Sequence, residues 1–373
     1  MRKNILVTGG AGFVGSHLVD ALVAAGHNVR VFDNLTPQVH SNGKIPDYLS
    51  KEIELVIGDM RDERAVHLAL EGMDVVFHFA AAVGVGQSMY EIAHYMGVNT
   101  QGTAVLLHQL LNRKNRVEKL IVASSMSIYG EGKYLCTHCG EVAPPLRSAE
   151  QLKARQWEVT CPVCGEALAP IATDESKLLQ CPSIYALSKK DQEEMCLLYG
   201  RTYGLPVVAL RYFNIYGARQ ALSNPYTGVA AIFASRLLNG NPPLIFEDGK
   251  QMREFASVED VTQANLLAME RSEANGMALN ISSGEPICIS EVAAALSEAL
   301  EIAIPAQLTG RYRAGDVRHC FPDISRAKKF LGFKPKVRFA DGMRDLALWL
   351  RSQQPQDRTA EAVAQLSNMG LTT

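Results

Sequence analysis

The sequence predicts an α/β fold built on a doubly wound parallel sheet, with a smaller interleaved C-terminal lobe and an inserted four-cysteine ribbon. Three observations predict it. Short apolar strands alternate with helical patterns through the first half, the alternation loosens beyond about residue 214, and two Cys-x-x-Cys pairs interrupt the first half. The predicted sheet domain covers 1–211 and contains the insertion, 131–172, which we call the ribbon. Residues 212–350 mainly form the smaller lobe, with returns to the sheet allowed, and 351–373 form a tail.

The first predicted element is a strand that passes through a glycine turn into a helix. The turn has three glycines spaced three apart, at Gly9, Gly12 and Gly15. This spacing lets the backbone approach a pyrophosphate and lets the helix N-terminus present free N–H groups to the anion. The second strand, 28–32, ends in Asp33. A carboxylate there accepts hydrogen bonds from ribose hydroxyls and repels a 2′-phosphate, so the pattern predicts NAD rather than NADP.

The following elements continue the alternation to about residue 211. Each predicted strand is a short apolar run and each helix carries an apolar stripe, which is typical of a parallel sheet covered on both faces. The strands are predicted at 54–57, 75–79, 119–123 and 206–211, and the helices at 61–70, 103–111 and 185–199. Further on, Pro and Gly separate isolated helices such as 290–300. In the tail, 352–357 reads as a polar linker before a short amphipathic segment, which we interpret as peripheral to the chemistry.

Two separated motifs supply candidate catalytic side chains. Ser125 follows the strand at 120–123, and Tyr185 and Lys189 stand four apart on a predicted helix. The i,i+4 spacing puts both side chains on one helix face, so the ammonium can lie near the phenol and lower its pKa toward neutrality. A phenolate formed near neutral pH is a usable general base. Ser125, at the C-terminal end of a sheet strand, is expected to reach the same crevice.

Composition limits the partners and the location of the protein. Lys and Arg number 37 and Asp and Glu 39, for a net charge of −2, so there is no global field that would recruit nucleic acid. No apolar run approaches the roughly 20 residues that a membrane-spanning helix needs, and the N-terminus enters a strand without a secretory segment. We therefore expect a cytoplasmic protein with no nucleic-acid or membrane partner.

Taken together, the motifs resemble those of the extended short-chain dehydrogenase/reductases, over most of the chain. The resemblance implies a Rossmann domain with tightly bound NAD, a nucleotide-diphosphate sugar as substrate, and Ser125, Tyr185 and Lys189 as catalytic residues. It implies cofactor contacts at Gly9, Gly12, Phe13, Val14, Gly15, Asp33, Asn34, Asp59, Met60, Phe79, Ala80, Ala81, Asn99, Ser124, Tyr185, Lys189 and Tyr212. It implies substrate contacts at Val85, Gln87, Ser125, Met126, Tyr185, Asn214, Arg253, Arg313 and Asp316. The arginines would bind the diphosphate and Asp316 the ribose.

The resemblance also bears on the reaction. Family members that dehydrate or decarboxylate their sugars resemble one another in carrying an acidic residue shortly after the catalytic Ser or Thr, where this chain has Met126 and Ser127. This difference favours simple oxidation and re-reduction at one carbon, as in an NAD-dependent 4-epimerase. Segments 32–40, 80–92 and 124–130 are most similar to those of dTDP-L-rhamnose 4-epimerases, which make dTDP-6-deoxy-L-talose. Val83 and Val85, with Met126, offer few hydrogen-bonding groups, which suits the methyl group of a dTDP-6-deoxyhexose.

Three alternatives stay open at this point. The chain could be a UDP-galactose or UDP-glucuronate type of 4-epimerase, or a nucleotide-4-keto-sugar reductase that consumes NAD(P)H. A non-catalytic, NAD-binding regulatory protein is the least favoured alternative, because Ser125, Tyr185 and Lys189 are all retained. The helices at 103–111 and 185–199 resemble those with which family members pair into a four-helix interface, so a homodimer is expected.

The four paired cysteines predict a structural zinc site. Cys136, Cys139, Cys161 and Cys164 form two knuckle-like turns, each followed by glycine. Four thiolates make a closed tetrahedral site that stabilises a small ribbon, and they leave no open position for catalysis. Because the ribbon lies between Ser125 and Tyr185 in the chain, we expect it to lie over or beside the sugar pocket and to help form its lid.

Overall fold

The first half of the chain alternates strands and helices, as the sequence predicts. The computed structural model describes residues 1–40, 43–111 and 116–372, so residue 373 of the predicted tail lies outside the described residues. The elements of the first half are β1 (Asn4–Thr8), α1 (Phe13–Ala24), β2 (Asn28–Asp33), β3 (Glu54–Ile57), α2 (Glu63–Leu70), β4 (Val75–His78), α3 (Val85–Ser88), α4 (Ile92–Tyr95), a π-helical turn (Met96–Gln101), α5 (Gly102–Leu110), β5 (Lys119–Ser125), a 3-10 turn (Met126–Tyr129), β6 (Lys133–Cys136), β7 (Gly140–Val142), α6 (Ala149–Lys153), β8 (Ala169–Ile171), α7 (Ile184–Tyr203) and β9 (Val207–Tyr212).

The second half is less regular. Its elements are β10 (Asn214–Tyr216), α8 (Val229–Leu238), β11 (Leu244–Ile245), β12 (Met252–Ser257), α9 (Val258–Glu270), β13 (Met277–Ile281), β14 (Pro286–Cys288), α10 (Ile289–Leu300), β15 (Gln307–Leu308), α11 (Ser325–Leu331), α12 (Phe339–Leu350) and α13 (Thr359–Asn368). In the part of the chain that the structure describes, every helix is too short or too polar to cross a bilayer.

A seven-stranded parallel sheet forms the centre of the molecule, in the order β3-β2-β1-β4-β5-β9-β13. This order confirms the predicted doubly wound sheet. The winding reverses between β1 and β4, and in such sheets a ligand crevice opens beyond the carboxyl ends of the strands. One apolar cluster packs α1 against one face, and a second packs α2 and α5 against the other. The inner strand β9 is buried along its whole length, which explains its apolar run from Val207 to Leu210; Arg211 is also buried and pairs with Glu193.

The second half contributes both to the sheet and to a separate lobe. Strand β13 pairs with β9 in parallel register, and α9 packs against α1. Helices α8, α10 and α12 instead surround a third apolar cluster that forms the core of the smaller lobe. The predicted boundary between the two units, at residues 211 and 212, remains a prediction.

The ribbon is a three-stranded antiparallel sheet in the order β7-β6-β8, followed along the chain by α7. Its strands run from Lys133 to Ile171. Few apolar side chains are buried within it, namely Tyr134, Pro144, Leu152 and Val159 beside Cys136 and Cys161. A unit of this size with so small a core requires another source of stability.

Candidate active site

A cleft of about 670 Å³ opens at the carboxyl end of the sheet. It brings together most of the residues that the sequence singled out. Its lining includes Gly9, Gly12, Phe13, Val14, Gly15, Asp33, Asn34, Asp59, Met60, Phe79, Ala80, Ala81, Val85, Ser124, Ser125, Met126, Tyr185, Lys189, Tyr212, Asn214, Arg253, Arg313 and Asp316. Residues that lie far apart in the chain therefore share one cavity.

Two predicted contact residues, Asn99 and Gln87, lie one layer behind the cleft wall. Asn99 is fully buried on the π-helical turn; its Oδ1 accepts from Ala82 N at 2.7 Å and its Nδ2 donates to Ser188 Oγ at 2.9 Å. Gln87 donates from Nε2 to Gln38 Oε1 at 3.2 Å and accepts from the Tyr95 hydroxyl at 2.9 Å. Both side chains hold the loops that line the cleft, so a direct ligand contact from either remains a prediction.

The glycine turn has the geometry that a pyrophosphate requires. Gly9 has φ +69°, and a Cβ there would lie 2.8 Å from Ala80 N, while a Cβ on Gly15 would collide with Gly9 O. At Gly12, by contrast, the nearest atom to an added Cβ is Gly9 O at 3.4 Å. Helix α1 starts after Gly12 without a side-chain cap, so its first amides can bind an anion in the cleft. The turn therefore fits the pyrophosphate of NAD.

Asp33 lies at the end of β2, as predicted, and is held by backbone amides. Its carboxylate accepts from Ala11 N at 3.1 Å and from Leu35 N at 2.9 Å. His40, which the sequence reasoning missed, places its Nε2 3.8 Å from Asp33 Oδ1, and burial lowers the pKa of His40. Beside the strand end, Arg61 donates to Asp59 and lowers the pKa of that carboxyl to about 2. The Asp33 carboxylate at this end of the cleft would repel a 2′-phosphate, whereas the charge of Asp59 is balanced by Arg61.

The side chains of Ser125 and Tyr185 are held close together. Ser125 Oγ accepts hydrogen bonds from Ser127 N at 3.2 Å and from Ser127 Oγ at 2.9 Å. The backbone amide of Tyr185 donates to Ser88 Oγ at 2.9 Å, and its ring lies edge-on to Tyr95. Burial raises the pKa of Tyr185, while a hydrogen bond with Ser125 acts in the opposite direction. The hydroxyl is therefore protonated at neutral pH in this environment.

The predicted effect of Lys189 on Tyr185 is not observed. The ammonium of Lys189 donates to Ala123 O and, at 2.8 Å, to Gln192 Oε1, and burial lowers the pKa of Lys189 to about 8. The expectation that Lys189 brings the phenol toward neutrality was wrong for this structure, because desolvation is the largest influence on both groups. A bound oxidised nicotinamide carries a positive charge, which would favour the phenolate.

A buried polar network behind the sheet edge links Lys189 to the loop at Ala80. Gln192, which accepts from Lys189, donates to Thr103 Oγ1 at 2.9 Å, and the same hydroxyl lies 2.9 Å from His78 Nε2. His78 Nδ1 in turn lies 2.9 Å from Thr8 Oγ1, which accepts from Ala80 N. Burial lowers the pKa of His78 to about 3, so the ring is neutral. The network connects residues from distant elements and carries no local sequence signal.

Two predicted cofactor residues make additional contacts. The Ser124 hydroxyl donates to Glu193 Oε2 at 2.6 Å, and Glu193 forms a buried ion pair with Arg211. The Ser124 side chain therefore points toward this ion pair. The ring of Tyr212 lies edge-on to Phe79, and its hydroxyl donates to Asn265 Oδ1 at 2.8 Å. Phe79 and Tyr212 therefore form an ordered aromatic wall.

The predicted substrate residues converge at the other end of the cleft. Arg313 pairs with Asp316 at 2.9 Å, and Arg253 Nη2 lies 3.4 Å from the same carboxylate. Burial alone would raise the pKa of Asp316, but Arg313 and Arg253 reverse this effect, and the pKa is lowered. Asn214 Nδ2 donates to Glu254 O at 3.2 Å. The guanidinium of Arg313 also lies 4.8 Å from the ring centre of Phe246, a lining residue that the sequence reasoning missed.

Helix α13 also lines the cleft, so the interpretation of the tail as peripheral was wrong. Ala362, Val363 and Leu366 belong to the lining. A Cβ on Gly86 would lie 3.1 Å from Leu366 Cδ2, and Ala314 N donates to Leu371 O at 2.9 Å. The amphipathic pattern of the segment was the available signal, but its partners are distant in the chain.

The four paired cysteines lie together, away from the cleft. Their sulfur atoms all lie within 4.8 Å of one another, and Cys136 Sγ is 3.5 Å from Cys164 Sγ. Of the described residues between 131 and 172, none lines the cleft. The expectation that the ribbon helps to form the lid was therefore wrong; α13, not the ribbon, contributes lining residues.

The chain is similar to known enzymes along most of its length. Residues 5–149 and 159–282 match the profile of the NAD dependent epimerase/dehydratase family, and the gap in the match lies inside the ribbon. The dTDP-L-rhamnose 4-epimerase of Burkholderia thailandensis is 33% identical over 354 residues, which are 94% of this chain and 96% of that protein.

Two crystal structures show the same similarity. The UDP-glucose 4-epimerase of Thermotoga maritima, solved with UDP-glucose, has a TM-score of 0.76 at 31% identity and covers 93% of this chain and 98% of its own. The UDP-glucose 4-epimerase of Thermus thermophilus, solved in complex with NAD, has a TM-score of 0.74 at 30% identity and covers 94% of this chain and 100% of its own.

Proposed function

This chain belongs to the NAD dependent epimerase/dehydratase family, and on that premise we propose that it is an NAD-dependent nucleotide-sugar 4-epimerase that converts dTDP-L-rhamnose to dTDP-6-deoxy-L-talose. The observation that carries the proposal is the set of acidic groups in the cleft. Among the described lining residues, the carboxylates are Asp33, Asp59 and Asp316. Beside Ser125 and Tyr185 stand Met126 and Ser127 instead. Elimination at C5 and C6 would need an additional acid or base there.

In the proposed reaction, Tyr185 takes the proton of the C4 hydroxyl and later returns it to the C4 oxygen, after the 4-keto sugar has turned over so that its opposite face receives the hydride. Ser125 holds the same oxygen by a hydrogen bond, and Lys189 fixes the end of β5 through Ala123. NAD, when bound, supplies the chemistry of hydride acceptance and return at C4. The residues that would hold it are those of the glycine turn, with Asp33 at the ribose and Phe79 and Tyr212 beside the nicotinamide.

The apolar lining supports a 6-deoxyhexose as the sugar. Val83 and Val85 are 54% and 44% exposed at the cleft, and Met126 and Leu366 also line it. These groups can pack against a methyl group but offer no hydrogen bond to a C6 hydroxyl and no charge for a carboxylate. The sugar of a uronate would therefore lose hydration without gaining partners on this side.

We also propose that the four-cysteine site holds one structural zinc ion. The four sulfur atoms form a compact set, and the ribbon around them has few buried apolar side chains. The donor set of four thiolates suits zinc and leaves no position for a catalytic water. Metal analysis is expected to give one zinc per chain, and the double substitution Cys161→Ser with Cys164→Ser is expected to abolish it.

A homodimer that pairs α5 and α7 is the proposed assembly. Leu187 and Leu198 are 38% and 56% exposed on α7, three helical turns apart on one face. Sedimentation of the purified protein is expected to give twice the chain mass, and a charged residue at Leu198 is expected to give the monomer.

The decisive experiment is incubation of the purified protein with dTDP-L-rhamnose, UDP-galactose and UDP-glucuronate without added reductant. We expect only the first to be converted efficiently, and we expect Tyr185→Phe to retain NAD but to lose turnover by at least about 1000-fold. Product that forms only when NADPH is supplied would instead identify a reductase. Full turnover by Tyr185→Phe would contradict the mechanism.

A further inference from the structure

Residues 313–319, which we call the clamp loop, lie between the ribbon and the cleft and contact both. On the cleft side it carries Arg313 and Asp316. Its backbone also holds the third charged group of this end, since Arg253 donates to Arg318 O at 2.9 Å and to Val317 O at 2.5 Å. The positions of all three groups therefore depend on how the clamp loop is held.

The ribbon holds the opposite side of the clamp loop. Arg147, almost fully buried, donates from Nη2 to Asp316 O at 3.1 Å and forms a two-pronged ion pair with Glu247 at 2.8 and 2.9 Å. Glu131, also buried, accepts from the backbone amides of Arg318 and, at 3.2 Å, His319. Ribbon side chains thus contact the backbone on both sides of Val317.

Glu158 provides a second attachment near the metal site. It accepts from Arg318 Nη2 at 2.5 Å and lies 3.2 Å from His319 Nε2. Met252 N donates to His319 Nδ1 at 3.1 Å, so Nε2 carries the proton of the neutral ring and can donate to Glu158. Glu158 stands three residues before Cys161, and Tyr134, whose hydroxyl donates to Glu131 at 2.8 Å, stands two before Cys136.

These contacts couple the metal site to the cleft through buried charges. Arg318 is fully buried and divides its hydrogen bonds among Glu158, Glu247 and Asp248. If the ribbon unfolds, Glu247 loses Arg147, and Arg318 loses Glu158. Buried charges that lose a partner are strongly unfavourable, so the clamp loop must rearrange when the ribbon does.

We propose that metal binding at the four cysteines controls the affinity of the cleft for the nucleoside diphosphate part of its substrate, with Arg147 as the positioning residue that transmits the effect to the clamp loop. The proposal rests on the proposed function, since it assumes that Arg253, Arg313 and Asp316 bind this part. The NAD end is held by bonds within the sheet domain, such as Gly9 N to Phe32 O at 2.8 Å. The affinity for NAD should therefore not depend on whether metal is bound at the four cysteines.

The test is titration of the NAD-containing protein with dTDP and UDP by calorimetry, before and after metal removal with a mercurial reagent and chelator. We expect the Kd of the nucleotide to rise at least 10-fold, to recover when Zn²⁺ and thiol are restored, and the NAD content to stay constant. An unchanged Kd would overturn the proposal, and so would a parallel loss of NAD, which would indicate general unfolding.

Two variants examine the connection without touching the cysteines. Arg147→Lys cannot form the two-pronged pair, so the Kd for dTDP and the KM should rise about 10-fold while kcat and zinc content stay within about 2-fold. Glu158→Gln, at a more exposed position, should show a smaller change of the same kind even if Arg147→Lys does not fold. Glu150→Gln, exposed on α6 of the same ribbon, is the matched control and should behave as the parent.

The outcomes separate the two proposals. If the metal-loaded protein epimerises and the metal-free protein binds dTDP equally well, only the coupling fails. If the metal-loaded protein binds dTDP more tightly than the metal-free protein does, but converts no sugar, the epimerase assignment fails and the coupling stands. If no nucleotide binds in the metal-loaded form, both fail.

Discussion

At the scale of single residues, burial and hydrogen bonding act on Tyr185 in opposite directions. Burial raises the pKa of the phenol, and the hydrogen bond with Ser125 lowers it. A general base with a raised pKa is mostly protonated at neutral pH, so the reaction should accelerate as the pH rises toward that pKa. Ser125 then has a second effect besides holding the substrate oxygen: it determines where this acceleration occurs.

Ser125→Ala removes the group that lowers the pKa of Tyr185. The pKa should therefore rise, and the ascending limb of kcat/KM against pH should move to higher pH, because the phenolate loses a hydrogen bond that favours the charged form. Ser127→Ala, which keeps Ser125, should move the limb less. A lower rate with an unmoved limb would show that Ser125 acts on the substrate alone.

Residue-level predictions from the sequence succeeded where the cause is local. The need for glycine at Gly15 is local, because a Cβ there would collide with Gly9 O six residues earlier, whereas the space at Gly9 is limited by the distant Ala80. The surroundings of Lys189 and Asn99 were not predictable in this way. Lys189 contacts Ala123 and Asn99 contacts Ser188, and nothing in the chain near either residue indicates those partners.

At the scale of elements, α13 shows the same limit. Its apolar side was visible in the sequence, but its partners come from distant segments: Gly86 lies against Leu366, and Ala314 donates to Leu371 just beyond the helix. The ribbon was located correctly as a cysteine cluster, yet it supports the clamp loop from behind instead of covering the sugar. The surface against which the ribbon packs depends on buried ion pairs such as Arg147 with Glu247. The two partners lie far apart in the chain, so no periodic sequence pattern indicates that they pair.

Leu366→Ala should weaken the docking of α13. Leu366 is buried, and shortening a buried Leu typically costs about 2–5 kcal/mol, although an outer helix can relax and lose less. We expect the KM for the nucleotide sugar to rise about 5-fold or more with NAD content unchanged, measured by initial rates and by absorbance of the bound cofactor. Met369→Ala removes a mostly exposed side chain just beyond the same helix and should have little effect. Equal KM values for both variants would contradict a role of α13 at the cleft.

At the scale of the whole molecule, the sheet followed from the sequence because each strand and helix carries its own pattern. The strand order of a doubly wound sheet then follows from right-handed connections between parallel strands. The position of β13 at the sheet edge beside β9 was harder to predict from the sequence, because several elements of the smaller lobe lie between the two strands in the chain.

Two attachments hold α13 against the cavity: Leu366 packs on Gly86, and Leu371, just beyond the helix, accepts a hydrogen bond from Ala314 N. Gly86 and Ala314 both line the cavity. Departure of a spent nucleotide is then expected to need the separation of at least one attachment, a displacement of a whole helix through solvent. Solvent viscosity slows such displacements, whereas the rate of proton transfer inside the cavity does not depend on it. Turnover should therefore decline in proportion to relative viscosity as sucrose is added, and a chain that ends before Thr359 should lose this dependence.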